Sequence, residues 1–293
     1  MITIAIANLK GGVGKSTTTL FVAEHWALKG NKVLVIDLDP QANASFMLLS
    51  RRRVEQLEKD LRTVPHLFAD VRNGVRRPAL DYVCSHASDL TELAPENAHG
   101  GFVSVVPSIP RLWFDEYEFV QHCYEHRLEP VQERVRILRE FLEELNGGYS
   151  HILFDCPPGF STLTRSAVIL ADRIVAPTIA DNTSVRSLRD FVNIGLRDTL
   201  GIQRRDLGPE TSAKLKVVVS KFSQWNNQRA VLDGLRETYH VILPPIPLRD
   251  QVLSISENLQ GQTRTYAQKY RRPVFSPLAP HVAGMSDALF GAI

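Results

Sequence analysis

Apolar residues in this chain come in short blocks set between longer stretches of mixed polarity. Ile2 to Asn8 is apolar and β-branched and predicts a buried strand. Lys32 to Ile36, Phe102 to Val106, His151 to Phe154, Arg173 to Ala176, Leu215 to Ser220 and Val241 to Leu243 repeat that pattern. Between the blocks lie helical stretches. Ser16 to Lys29 predicts a helix with Phe21, Trp26 and Leu28 among its apolar positions, and Gly30-Asn31 stops it. Glu133 to Leu145 places Val135, Leu138, Leu142 and Leu145 on one face, and Asn146-Gly147-Gly148 ends it. Strands alternating with helices predict an α/β fold, a mostly parallel sheet with helices on both faces. One such domain over residues 1–293 is expected. A helical, partly irregular insertion is expected at about 51–150, where Arg51-Arg52-Arg53, Arg76-Arg77-Pro78 and Gly100-Gly101 interrupt the pattern. Thr265 to Pro280 carries several prolines and is expected to be irregular.

Composition narrows the function only slightly. Hydrophobic residues make up 44% and charged residues 23%, an ordinary globular profile, and the net charge of +2 does not by itself call for a polyanionic partner. Cys84, Cys123 and Cys156 are far apart in sequence, which argues against a disulfide framework or a thiolate metal site and for reduced thiols in the cytoplasm. No apolar run is long enough to span a membrane, and the start lacks signal-peptide character. The histidines, among them His25, His122, His126 and His151, show no ligand spacing.

Chemistry enters at Lys10-Gly11-Gly12-Val13-Gly14-Lys15-Ser16-Thr17, between the first strand and the first helix. That is the context a phosphate-binding loop requires. Glycines let successive N–H groups curl around phosphate oxygens, and the helix N-terminus adds its positive end. Lys15 can reach the β- and γ-phosphates, and Ser16 can place a hydroxyl on Mg²⁺. The strict pattern would have glycine at position 9. This chain has Leu9 there, and an extra lysine at Lys10.

Three aspartates should meet the same crevice. Asp37 and Asp39 follow one predicted strand and Asp155 follows another, and ligands of open parallel sheets sit beyond the carboxyl ends of strands. A strand-terminal aspartate near Mg²⁺ is the Walker B arrangement.

The variant loop, together with Asp37-Leu38-Asp39-Pro40-Gln41-Ala42-Asn43 and Asp155-Cys156-Pro157-Pro158, resembles the deviant-Walker P-loop ATPases of the ParA/MinD superfamily, and the ParA branch most. Weaker likenesses follow at Ser184-Val185-Arg186-Ser187-Leu188, at Val217 to Phe222 and at Ile246-Pro247-Leu248-Arg249. In the last, Leu248 replaces the family's arginine, and Gln262-Thr263 later replaces lysine-proline. The resemblance implies slow, partner-stimulated hydrolysis of ATP with Mg²⁺. It implies that Asp155 holds the metal's shell, that Asp37 supports the metal and its waters, and that Asp39 orients the attacking water. It further implies that Lys10 acts across a homodimer that sandwiches two nucleotides, with Lys10 to Thr17 holding the nucleotide.

The implied partners are non-specific DNA and a ParB-type activator on a plasmid, chromosomal locus or protein cargo, in a cytoplasmic, nucleoid-associated setting. From Arg197 to Arg272 there are thirteen Lys/Arg against seven Asp/Glu, a net of +6. Candidate phosphate contacts are Arg204, Arg205, Lys214, Lys216, Arg229, Arg249, Arg264, Lys269, Arg271 and Arg272. No helix-turn-helix is expected before the first strand, so operator reading is not expected. The alternative is a MinD-like regulator on membranes or proteins. Its basic amphipathic C-terminal helix is not expected, because His281 to Ile293 contains no Lys or Arg. A relative carrying a metal cluster would need paired cysteines at a dimer seam.

Overall fold

The computed structural model describes residues 1–88, 100–145, 147–201, 214–223, 226–242 and 244–247. The strands described are β1 Ile2–Ile6, β2 Lys32–Asp37, β3 Phe102–Val106, β4 His151–Asp155, β5 Arg173–Ile179, β6 Leu215–Ser220 and β7 Val241–Ile242. They form one sheet in the order β3-β2-β4-β1-β5-β6-β7. Every neighbouring pair is parallel. Strands β2 and β3 lie to one side of β1 and β5 to β7 to the other. The chain therefore changes direction at β1, where open parallel sheets form their ligand crevice.

The apolar blocks are continuous because both faces of the sheet are covered. Ile4, Ile6, Val33 and Val35 pack with Leu20, Phe21 and Trp26 of α1 (Lys15–Leu28). Ala5, Ala7, Leu34 and Ile36 point the other way. There they meet Ile137, Leu138 and Phe141 of α6 (Pro130–Glu144), and Leu163 and Val168 of α7 (Thr162–Leu170). Side chains alternate across a strand, so neighbouring residues serve opposite layers. The α1 helix is buried on most sides, Glu24 included, which explains its weak apolar stripe in the sequence.

The segment expected to form an insertion contributes to this layered core. β3 pairs with β2 from Lys32↔Phe102 to Ile36↔Val106. Around it lie α2 (Asn43–Leu48), α3 (Arg51–Lys59), α4 (Val64–Arg72), a short 3₁₀ turn (Ala79–Tyr82), α5 (Leu112–Glu125) and α6. Strand β5 runs to Ile179, past the predicted end at Ala176. Pro177 is tolerated because its nitrogen faces the β1 side beyond the end of that strand. The last main-chain bond there is Ala7 N–H to Val175 O at 3.0 Å, and the Asn8 side chain then donates to Pro177 O at 2.7 Å. Helix α8 (Asn182–Asp190) continues through a π-helical turn, Phe191–Leu196, into α9 (Arg197–Leu200), and α10 spans Asn226–Thr238. The likenesses at Leu248, Arg249 and Gln262-Thr263, the irregular Thr265 to Pro280 and the charge-poor His281 to Ile293 lie outside the described residues.

Candidate functional site

The loop from Leu9 to Gly14 leaves the carboxyl end of β1 and delivers the chain into α1. Gly12 and Gly14 hold φ of +71° and +88°. Gly14 caps α1 in the left-handed region, which glycine enters without steric cost. Gly11 and Gly12 are exposed, Val13 is buried beneath them, and Thr17 is half-buried on the first turn of α1. The hydroxyl of Ser220, at the end of β6, donates to Val13 O at 2.7 Å and so ties the loop to a strand two places away.

Lys15 points into the curl of this loop. It is 6% exposed, and its Nζ donates to Lys10 O at 3.2 Å. Burial draws its pKa down, against the pull of Asp155 and Asp39. Ser16 Oγ donates to Asp155 Oδ2 at 2.7 Å, and Thr19 Oγ1 donates to Asp155 Oδ1 at 2.9 Å. Asp155 is fully buried; burial lifts its pKa to about 6, against hydrogen bonds from Ser16 and Thr19.

Register puts the second carboxylate next to the first. Asp37 pairs with Asp155 across β2 and β4. Its Oδ2 accepts from the Ser45 N–H at 2.8 Å and the Ser45 hydroxyl at 2.7 Å, and its Oδ1 accepts from Asp39 N–H at 3.0 Å. Burial, and then the neighbouring Asp155 charge, push the Asp37 pKa well above the carboxylate range. Asp39 is 5% exposed and accepts from Gln41 N–H at 2.9 Å; burial raises it too. Three aspartates and one buried lysine therefore converge beside a cradle of backbone N–H groups.

These residues fit a phosphate-bound magnesium ion. Among the described residues no three His, Cys, Asp or Glu side chains form a metal cage of their own. Mg²⁺ typically takes one or two carboxylates and completes its shell with phosphate oxygens and water. The Ser16 hydroxyl beside two carboxylates is a hard-oxygen donor set of that kind.

Comparison with known proteins agrees with this geometry. A family model described as an AAA domain matches residues 1–197. The chromosome partitioning protein ParA of Myxococcus xanthus is 26% identical over 82% of this chain and 74% of its own length. The sporulation initiation inhibitor protein Soj of Bacillus subtilis is 29% identical over 65% of this chain and 63% of its own. A plasmid partition protein of Borrelia burgdorferi, solved with AMPPNP, superposes with a TM-score of 0.70 at 19% identity, over 100% of this chain and 99% of that one. The chain belongs to the ParA/MinD superfamily of P-loop ATPases. Within it, the chain is of the ParA-like partition and positioning kind.

Lys10, the extra lysine of this ParA-like loop, does not face the aspartates. Its Nζ donates to Thr183 Oγ1 at 2.9 Å and to Ser184 Oγ at 2.7 Å, and it lies 3.6 Å from Asp181 Oδ1. Asp181 is the N-cap of α8, accepting from Ser184 N–H at 2.8 Å. Burial pushes Asp181 up, but hydrogen bonds from Thr183 and Ser184 and the Lys10 charge hold it at about 2. Lys10 is thus folded onto its own chain, with its side chain 34% exposed.

The predicted DNA contacts do not assemble into one described face. Lys216 is withdrawn from the set: it lies inside β6, is 5% exposed and has its pKa lowered by burial. Lys214 is half-buried before the amino end of β6, on the sheet edge opposite the P-loop. Arg229 is exposed on α10, which follows the carboxyl end of β6. Arg204, Arg205, Arg249, Arg264, Lys269, Arg271 and Arg272 lie outside the described residues. All three cysteines are free and buried. Among the described residues no helix is long and apolar enough to cross a membrane.

Several residues at the site escape sequence reasoning. Thr19 could have been found, since it lies one turn beyond Lys15 and Ser16 on the same helix face. Asp181-Asn182-Thr183-Ser184 carries a helix-start signal at Asp181. Ser45 and Ser220 carry no local signal; only the fold brings them to Asp37 and to Val13.

Proposed function

We propose that this chain is a Mg²⁺- and ATP-dependent dimerising switch that binds DNA without sequence preference and positions a plasmid, chromosomal locus or protein cargo. The observation that carries the reading is the Ser16 to Asp155 contact at 2.7 Å, with Asp37 in register beside it and Lys15 buried in the loop.

In this reading Gly11 to Gly14 present N–H groups to the β-phosphate, and Lys15 holds the β- and γ-oxygens. Ser16 and Asp155 face the metal, and Asp37 steadies its waters through the Ser45 contacts. Asp39, anchored by Gln41, aligns the attacking water. Magnesium held by Ser16 and Asp155 would supply charge that neutralises the phosphates. Lys10 leaves Asp181, Thr183 and Ser184 and presents its ammonium to the nucleotide of a second copy. Positive charge placed where the transition state gathers negative charge is the main catalytic resource of phosphoryl transfer. ATP favours the DNA-bound dimer because its γ-phosphate contacts one state better than the other, and hydrolysis releases it. A ParB-type activator on the cargo accelerates that release, and the chain cycles on the nucleoid. Support for the dimer comes from the Lys10 side chain, whose ammonium meets Asp181, Thr183 and Ser184 at the start of α8 and not the three aspartates of its own site.

The test is ATP turnover per chain across a range of protein concentrations, with Mg²⁺ and with EDTA. The rate per chain should rise with concentration in Mg²⁺, and Lys10→Ala should remove the rise. A rate that is flat with concentration would overturn the trans role of Lys10, and equal rates in EDTA would overturn the metal.

A further inference from the structure

Between Asp155 and α7 the chain passes beside the P-loop. An added Cβ on Gly11 would lie 4.0 Å from Pro158 Cβ, so Pro158 walls the phosphate cradle. Two main-chain bonds hold this stretch: Cys156 N–H to Ile6 O at 3.1 Å and Gly159 N–H to Leu9 O at 3.1 Å. A further tie comes from a side chain outside the nucleotide site. Glu116 Oε1, on α5, accepts from Thr162 N–H at 3.0 Å and from the Thr162 hydroxyl at 2.6 Å.

Thr162 opens α7, and its N–H has no acceptor within the helix. A carboxylate there also meets the positive end of the helix dipole. Ser161 already fills the N-cap, accepting from Thr164 N–H at 3.4 Å. Helix α7 is therefore fastened twice, once by its own chain and once by α5.

Glu116 is itself held. Its Oε2 accepts from Arg134 Nη2 at 2.9 Å. Arg134 is fully buried, 3.8 Å from the Phe68 ring centre and 3.6 Å from that of Phe119, with Asp115 Oδ2 at 3.5 Å. A buried ion pair contributes little net stability compared with apolar residues of similar volume. What this guanidinium does in the core is join α6 to Glu116 and Asp115 of α5, and so fix one helix against another.

We infer that Glu116 is a positioning residue for the hydrolysis centre: held by Arg134, it fixes the start of α7 and so the placement of the Pro158 wall against the P-loop. This rests on the reading of that edge as an ATP-hydrolysing site. Glu116 bonds Thr162 and Arg134 and not the P-loop or the three aspartates, and Lys15, Ser16 and Gly14 are held by β1 and α1 without it. Its loss therefore affects the rate more than the affinity.

The experiment compares Glu116→Ala, Thr162→Val and Thr162→Ser in the full chain, measuring kcat and KM for ATP, ADP affinity and thermal midpoint. Glu116→Ala should lower kcat roughly ten-fold, with KM and ADP affinity within about two-fold of wild type, since small misplacements of a reacting geometry cost that much or more. Glu116→Ala leaves Arg134 with one carboxylate fewer and can lose stability. Thr162→Val removes only the hydroxyl bond and should lower kcat roughly three-fold, while Thr162→Ser keeps the donor and should restore it. Wild-type kcat in Thr162→Val and in a folded Glu116→Ala would overturn the inference. So would loss of kcat, ADP affinity and thermal midpoint together in all variants, which would make the role structural. If wild type itself hydrolyses no ATP, the reading of the site falls and this role falls with it.

Discussion

The carboxyl edge of β2, β4 and β1 and the surface around β6 carry charge in different ways. At the first edge Lys15, Asp37, Asp39 and Asp155 are all nearly or fully buried, and each has named partners. Around β6 the remaining described candidates for polyanion contact lie at the surface: Arg229 is exposed and Lys214 half-buried, whereas Lys216, withdrawn from that set, is sealed inside its strand. A buried charge is costly unless a ligand or partner answers it, so its position is informative. A surface lysine costs almost nothing anywhere, so its position says little. The difference teaches that the phosphate site of this ParA-like chain is built into the fold, whereas the polyanion contacts proposed for it would depend on residues acting in sum.

The largest test of this contrast is Lys15→Ala. It removes the buried ammonium from the loop and should weaken nucleotide binding at least about 100-fold in a Mg²⁺-ATP titration, the scale of losing a buried charge-assisted contact. Affinity within a few-fold of wild type would show that the edge does not depend on its charge.

Next comes Asp39→Ala. Among the described residues its carboxylate accepts one hydrogen bond, from Gln41 N–H, so the fold should survive. Single-turnover hydrolysis should fall roughly 100-fold while ATP stays bound. Unchanged hydrolysis would remove Asp39 from the water-aligning role.

Third is pH. The Asp155 pKa stands at about 6 in the folded chain against an ordinary 3.8. The folded state thus holds its proton more tightly than the unfolded chain. The resulting stability is present below pH 3.8 and is lost as pH rises through about 6. In the nucleotide-free protein, Asp155→Asn should narrow the drop in thermal midpoint between about pH 4 and pH 7. An unaltered drop would contradict the buried state of that carboxyl.

Asp181→Asn is smaller. Asparagine keeps the helix cap but loses the charge facing Lys10, a half-exposed pair worth little by itself. Freed of that partner, Lys10 should raise concentration-dependent turnover roughly two- to three-fold. A fall would show that the Asp181 contact assists Lys10 and does not retain it.

The smallest effects belong to the surface around β6. Arg229→Ala should reduce the salt slope of DNA binding by about 1, and Lys216→Met should leave it unchanged. A slope lowered by Lys216→Met would return that residue to the surface.

What the sequence made legible follows the same divide. The strands, the loop from Lys10 to Thr17 and the three aspartates are readable because apolar runs and strand-end carboxylates are local signals. Six of the seven described strands end within two residues of their predicted bounds, with Leu243 of the last prediction outside the described residues; β5 runs three residues longer because Pro177 reads as a stop where the sheet needs no N–H from it. Ser45 on Asp37, Ser220 on Val13 and Glu116 on Thr162 were not legible, because the last two pairs join residues 207 and 46 positions apart and none carries a motif. The parking of Lys10 on α8 was not legible either, since it joins positions 174 apart. β3 shows the intermediate case. Its apolar run is readable, but its place beside β2 is set by pairing across the sheet, so the segment around it reads as an insertion when it completes the core.

The most direct test of the proposed switch is binding to random-sequence duplex DNA over a salt series, with ATP, with ADP and without nucleotide. The account predicts tight binding with ATP alone, weakening steeply as salt rises. Equal binding in all three states, or none in any, would contradict it.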